Sequence, residues 1–352
     1  MTEGGTARRR WTVRVVSGVA GLLLFILALQ LMRRGAGGLE PFVRDLLGVD
    51  DAASALGFGW AAAYLVMSGS PVAAISLTLF VSGILDDIQT FVMIAGSRLG
   101  ASLIVLVVGF LYALRGRDRG ASLQMGLLSL LVTYTIYVPA IVIGILLLES
   151  GTFDAVRLAP PAGLVDAIGL VYDPIVELLA RRLPFWALFI AGAAAVVAAL
   201  QVFDRALPDF EKRSPVRGVG VQIYRPAVMF ALGFVVTLFT LSVSVSLGIL
   251  VPLSAKGLVR RENVIPYIMG ANVSTFIDTL FAALLLDAPR AFTIVLVEMV
   301  AVALVSVAVL VFSYDRYQKT MLDILDRILR SRATLAVFLA VILVLPFVLL
   351  RT

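Results

Sequence analysis

The sequence contains no cysteine and no histidine. Without cysteine there is no disulfide frame, no thiolate nucleophile and no thiolate metal site; without histidine there is no imidazole ligand or base. Most hydrolytic and zinc-dependent chemistry is thereby excluded. Charge is scarce as well: only 15% of the 352 residues are charged, whereas 61% are hydrophobic and the mean hydropathy is +1.02. A soluble domain carries roughly a quarter of its residues as charges, so the solvent of most of this chain is a bilayer. No glycine-rich ATP-binding loop is present, so uphill movement of a solute would draw on an ion gradient unless another chain supplies the energy.

Long apolar runs recur at 12–32, 122–148, 186–203, 289–313 and 333–350. Each is long enough to cross ~30 Å of hydrocarbon as a helix rising ~1.5 Å per residue. The first run follows Arg8, Arg9 and Arg10, lacks a small-residue cleavage site and is followed by Arg33 and Arg34, so it is expected to be an uncleaved first helix. The net charge of +6 sits in short loops between apolar runs, not on a soluble basic face, which excludes nucleic acid as a partner. Arg and Lys in the N-terminus, the 115–120 loop, the 204–225 loop and the 313–332 segment place those segments, and the N-terminus, in the cytoplasm of a cell inner-membrane protein. The mixed 150–185 segment falls outside, and its 163–183 tract is amphipathic.

Sliding the sequence on itself by 174 residues aligns 12–32 with 186–206 and 122–148 with 296–322. Between Met67 and Ser102 and between Leu241 and Phe276 the same offset needs no gap, and it pairs Ser68 with Ser242, Ser70 with Ser244 and Gly96 with Gly270. The charge-derived orientations of the two copies are opposite. The expected fold is therefore an all-α integral membrane protein of two inverted-topology repeats, each with a re-entrant helical hairpin and a broken transmembrane helix. The first repeat is 1–150, with its hairpin at 53–85 and broken helix at 88–112. An extracytoplasmic connection covers 151–185. The second repeat is 186–313, with hairpin 226–259 and broken helix 264–286, and 314–352 forms a cytoplasmic amphipathic segment and a final crossing.

The apolar sequence from Asp51 to Leu85 is interrupted by Met67-Ser68-Gly69-Ser70-Pro71, leaving arms too short to cross. A hairpin tip at that depth exposes backbone groups that must face protein or a watery cavity. Ser68, Gly69 and Ser70, with Ser242, Val243 and Ser244 in the second copy, are placed there. Half-helix N-termini suit an anion, and hydroxyls and free carbonyls suit a small cation, so an oxyanion with Na+ is the natural pair. Serines at such positions also serve helix packing; their symmetric placement favours the site.

The clusters Gly96-Ser97-Arg98-Leu99-Gly100-Ala101-Ser102 and Gly270-Ala271-Asn272-Val273-Ser274-Thr275-Phe276 either open a helix toward a ligand or form a tight helix crossing. Arg98 is expensive in a crossing helix unless it is paired or faces a cavity, and its guanidinium fork suits tetrahedral oxyanions. Its expected partners are Asp278 and Glu298. Both acids are also candidates for cation or proton coupling, with snorkelling from a helix end the alternative for Glu298.

At these residues the sequence resembles the type II sodium/phosphate cotransporter family, whose two inverted repeats each carry a Gln-Ser-Ser-Ser motif followed by a Gly-Ala/Ser-Asn-Ile-Gly-Thr-Thr motif. The closest stretch is IPYIMGANVSTF from Ile265, and the specific likeness covers 53–112 and 226–286. Met67 and Leu241 stand at the two glutamine positions, Gly69 and Val243 at the middle serines, and Arg98 at the first Asn position. The resemblance implies sodium-coupled phosphate symport by alternating access. Taken with the turns and the buried charges, the expected substrate contacts are Ser68, Gly69, Ser70, Arg98, Ser242, Ser244 and Asn272. The expected ion-coupling residues are Ser102, Ser274, Thr275, Asp278 and Glu298, with Na+ at Ser242, Asn272 and Thr275 and no other cofactor. The alternatives are another small oxyanion, proton coupling or none, an ion channel, or a membrane scaffold. The oligomeric state is open. An intramembrane enzyme is disfavoured, since a serine hydrolase without His would need a base such as Lys256, and only Asp278 is clearly a mid-membrane Asp.

Overall fold

The computed structural model describes residues 3–114, 119–206, 225–248, 250 and 259–352. Most of its described residues are helical, with no strand among them. The helices are α1 (Glu3–Ala36), α2 (Ala52–Val66), α3 (Ser70–Val81), α4 (Asp87–Ala101), α5 (Leu103–Leu114), α6 (Arg119–Glu149), α7 (Ala162–Ala180) and α8 (Phe185–Ala206). They continue as α9 (Pro226–Thr240), α10 (Val243–Gly248), α11 (Arg261–Ser274), α12 (Ile277–Leu285), α13 (Pro289–Ala308), α14 (Tyr314–Leu329) and α15 (Arg332–Leu349). Seven stretches of the described chain are long and apolar enough to cross a membrane: Trp11–Ala36, Asp87–Leu111, Ser122–Glu149, Phe185–Ala206, Arg261–Leu285, Pro289–Leu329 and Arg332–Leu349. That is the signature of a multi-pass membrane protein.

Local sequence sets the ends of the short helices. Asp51 caps α2 by accepting from the Ser54 N–H at 2.8 Å, while the Ser54 hydroxyl accepts from the Asp51 N–H at 3.0 Å. Asp86 and Gln89 repeat this reciprocal cap at the start of α4, at 2.7 and 3.0 Å. The Ser54 N–H also holds the exposed Asp51 carboxyl below its ordinary range. Pro71 and Pro226 sit in the first turns of α3 and α9, where a missing N–H costs nothing.

α2, with 15 residues, and α3, with 12, are each shorter than a bilayer crossing. They turn back on each other at Met67, whose φ of 53° is left-handed, and Leu241 closes α9 with φ 50°. Both positions usually hold glycine, because a side chain there is strained by about 1–2 kcal/mol. The two residues are equivalent at the 174-residue offset.

The same offset relates the helix contacts. A Cβ on Gly59 of α2 would strike the Met93 carbonyl of α4, and one on Gly96 would strike the Leu56 carbonyl. Gly233 of α9 meets the Tyr267 carbonyl of α11, and Gly270 meets that of Phe230. Each member of the second set lies 174 residues after its counterpart in the first. The glycines of both clusters therefore serve a backbone-to-backbone crossing, the second of the two expected readings. The expected breaks are slight. α4 passes into α5 at Ser102, and α11 into α12 at Thr275 and Phe276, all with right-handed helical dihedrals.

Polar contacts define two ends of the bundle. At one, Arg290 pairs with Asp87 at 2.5 Å and with Asp154, Gln89 donates to the Asp50 carbonyl, and Arg33 donates to the Leu286 carbonyl. At the other, Arg261 pairs with Asp326 at 2.7 Å, and Gln318 donates to the Glu262 carbonyl at 2.7 Å. α13 and α14, joined by a π-helical turn at Val309–Ser313, connect the two ends. α4 thus starts at the first end and α11 at the second. α1 and α8 lie antiparallel, with Gly35 against Phe185 and Phe189 and Gly18 against Ala206. α14, expected on the surface, buries Met321 and Leu325, and Tyr317 bonds Thr135 of α6.

Candidate functional site

The turn between α2 and α3 and the turn between α9 and α10 approach each other, and a small cavity lies between them. Ser68, Gly69 and Ser70 line it from one side, and Ser242 and Val243 from the other. α4 adds Arg98 and Ala101, followed by Ser102; α11 adds Asn272, followed by Thr275; and α6 adds Thr133 and Tyr137. Gly69 is needed there because a Cβ would come within 2.8 Å of the Ser97 carbonyl. The cavity holds about 20 Å³, enough for a water or a bare small ion.

Arg98 is the organising group. Its Nη2 donates to Asp278 Oδ1 at 3.3 Å and to the Thr279 hydroxyl, its Nη1 reaches Ser70 Oγ at 3.4 Å, and the Phe276 ring lies 5.3 Å from its guanidinium carbon. Arg98 and Asp278 are both buried. One ion pair therefore bridges α4, the first turn and α12. Its Nε and Asp278 Oδ2 have no hydrogen-bond partner, so the pair has capacity left for a third group. Asp278 also faces a second cavity of about 370 Å³, which shares Ser68, Ser70 and Ser242 with the small one. Phe25 of α1, Phe203 and Asp204 of α8, and Phe281 of α12 stand in its wall.

The expected set is therefore brought together in large part. Ser68, Gly69, Ser70, Arg98, Ser102, Ser242, Asn272 and Thr275 line one space, with Asp278 on its rim. Asn272 spends its amide donor on Thr133 at 3.1 Å, and its main-chain carbonyl accepts from Tyr137 at 3.3 Å. Ser274 is not brought in: its hydroxyl bonds back to the Ala271 carbonyl. No family model, curated protein or solved structure matches this chain. The Ser244 side chain lies outside the described residues, as do 251–258, which hold Lys256 and much of the second arm of hairpin 226–259.

Glu298 corrects one alternative. It is the tenth of 20 residues in α13 and 2% exposed, so it cannot snorkel from a helix end. It is not paired with Arg98 either, since neither of its oxygens has a hydrogen-bond partner. No group of three or more acidic residues that could hold a metal occurs among the described residues. Thr133, Tyr137 and Thr279 were not anticipated. The polar run Thr133-Tyr134-Thr135 inside an otherwise apolar crossing is the sequence signal that points to α6.

Proposed function

We propose that this protein is a secondary carrier that moves a small oxyanion, phosphate first, together with a monovalent cation by alternating access. The observation that carries this reading is the buried Arg98–Asp278 pair at a cavity walled by both short-helix turns. A buried ion pair is weak support for stability, and replacing one by apolar residues is often neutral or favourable. An arginine retained at mid-depth, half-satisfied and facing hydroxyls, fits an anion that comes and goes.

Two further features support the reading. α2 to α5 and α9 to α12 share their glycine contacts and left-handed turns yet start at opposite ends, as inverted repeats with two re-entrant hairpins would. The larger cavity reaches Asp204 near the C-terminus of α8, toward the end of the bundle where Arg261 pairs with Asp326, and by the charge rule that end is cytoplasmic. The conformation is then an inward-facing one, in which Asp278 occupies the guanidinium that the substrate would take. Thr275, Ser242 and Asn272 offer oxygens for the cation in the same space.

The test is labelled phosphate uptake into proteoliposomes of the purified protein, with an inward Na+ gradient, with K+ in its place, and with an imposed pH gradient. Uptake above protein-free vesicles in the Na+ or the pH arm is expected. Equal phosphate flux in all arms, with no stimulation by phosphate on the far side, would instead describe a pore.

A further inference from the structure

We propose that Glu298 carries the coupling proton of this carrier, taken up together with the oxyanion at Arg98. The inference rests on the transport reading and specifies its coupling ion. Glu298 is buried at mid-helix, and both of its oxygens lack any hydrogen-bond partner. An ionised carboxylate in that condition carries an uncompensated desolvation penalty, which a proton removes.

The groups around it set the direction of the linkage. α13 packs against α3, α4, α6, α11 and α12. The ionisable residues on those helices are Asp87 and Arg98 on α4, Tyr134 and Tyr137 together with the terminal Arg119 and Glu149 on α6, Arg261, Glu262 and Tyr267 on α11, and Asp278 on α12; α3 has none. Asp87, Arg261 and Glu262 are engaged at the two ends of the bundle. Away from the ends, Arg98 pairs with Asp278 and its charge also acts on Glu298, and all three charges act on Tyr137. One guanidinium therefore faces two carboxylates, and an arriving oxyanion adds a third negative charge. Protonating Glu298 offsets that excess, so oxyanion and proton each favour binding of the other. Atoms balance simply: Glu298 forms an O–H bond with a proton from one aqueous side and releases it to the other.

A sodium ion does not fit Glu298 equally well. It would need several oxygens in place of its water, whereas no polar partner lies within hydrogen-bond distance of either carboxylate oxygen and no acidic cluster surrounds it. On α6, Ser122 and Ser129, buried hydroxyls without partners, share a helix face with Thr133 and Tyr137.

The test uses the full-length protein in proteoliposomes with phosphate as the probe, and compares wild type, Glu298→Gln and Glu298→Asp. Wild type and Glu298→Asp are expected to accumulate phosphate at least fivefold more with a pH gradient, acidic on the uptake side, than without one. Glu298→Gln is expected to lose that stimulation while still exchanging labelled for unlabelled phosphate. Infrared spectra near neutral pH should show a protonated carboxylic acid band that the Gln variant lacks. Retained stimulation in Glu298→Gln, or no acid band assignable to Glu298, overturns the proposal. If wild type moves no phosphate in any arm, the transport reading for phosphate fails and the coupling role falls with it; the infrared band still decides whether Glu298 holds a proton.

Discussion

Arg98→Met is expected to unfold at a markedly lower temperature than wild type and to lose phosphate uptake. The substitution leaves Asp278 buried with no cation, and breaking a buried pair from one side costs about 3–5 kcal/mol. The double variant Arg98→Met with Asp278→Asn removes both charges and should recover most of the thermal stability. It should not recover uptake, because the guanidinium that would receive the oxyanion is gone. Thermal melting in detergent, run beside uptake, separates the two outcomes. Full recovery of uptake in the double variant would show that Arg98 serves only as a counter-charge to Asp278.

The second large effect concerns the packing of the two short-helix units. Gly59→Leu and Gly233→Leu place a side chain against the carbonyls of Met93 and Tyr267, where no flexible neighbour can give way. Overpacking typically costs about 1–3 kcal/mol and more where backbone must move. Each variant is expected to elute as aggregate or to melt at least several degrees below wild type, with uptake lost in both. Gly163→Ala, where an added Cβ meets nothing, should behave as wild type. Size-exclusion chromatography and melting read the result. Damage in one half alone would contradict an equivalence of the two contacts.

The sequence carried much of this arrangement because membrane physics leaves few choices. An apolar stretch interrupted by Met67-Ser68-Gly69-Ser70-Pro71 leaves two arms too short to cross, and the chain turns at those residues. A lone arginine in a crossing helix must find a partner, and Asp278 was one of two acids available. Glu298, the other, was harder to read, because residue spacing gives its place along α13 but not that the neighbouring helices bury it without a donor. The polar run at Thr133 marks α6, but that Thr133, Tyr137 and Thr279 reach the site is decided by how α6 and α12 pack. Gly59 and Gly233 are ordinary in apolar helices and become informative only once Met93 and Tyr267 are seen against them. The bond from Arg290 to Asp87 and Asp154 joins residues far apart in sequence, which no local pattern pairs.

The opposite orientation of the two halves is the claim on which the carrier reading turns, and a chain without cysteine is suited to test it. Asp86 and Arg260 are equivalent at the 174-residue offset and both are exposed, just before α4 and α11. Single variants Asp86→Cys and Arg260→Cys, labelled in sealed vesicles of known orientation with a membrane-impermeant thiol reagent, read their sides directly. Labelling of position 86 from outside the cell and of position 260 from the cytoplasm is expected; labelling of both from the same side would contradict the inverted arrangement and the carrier built on it.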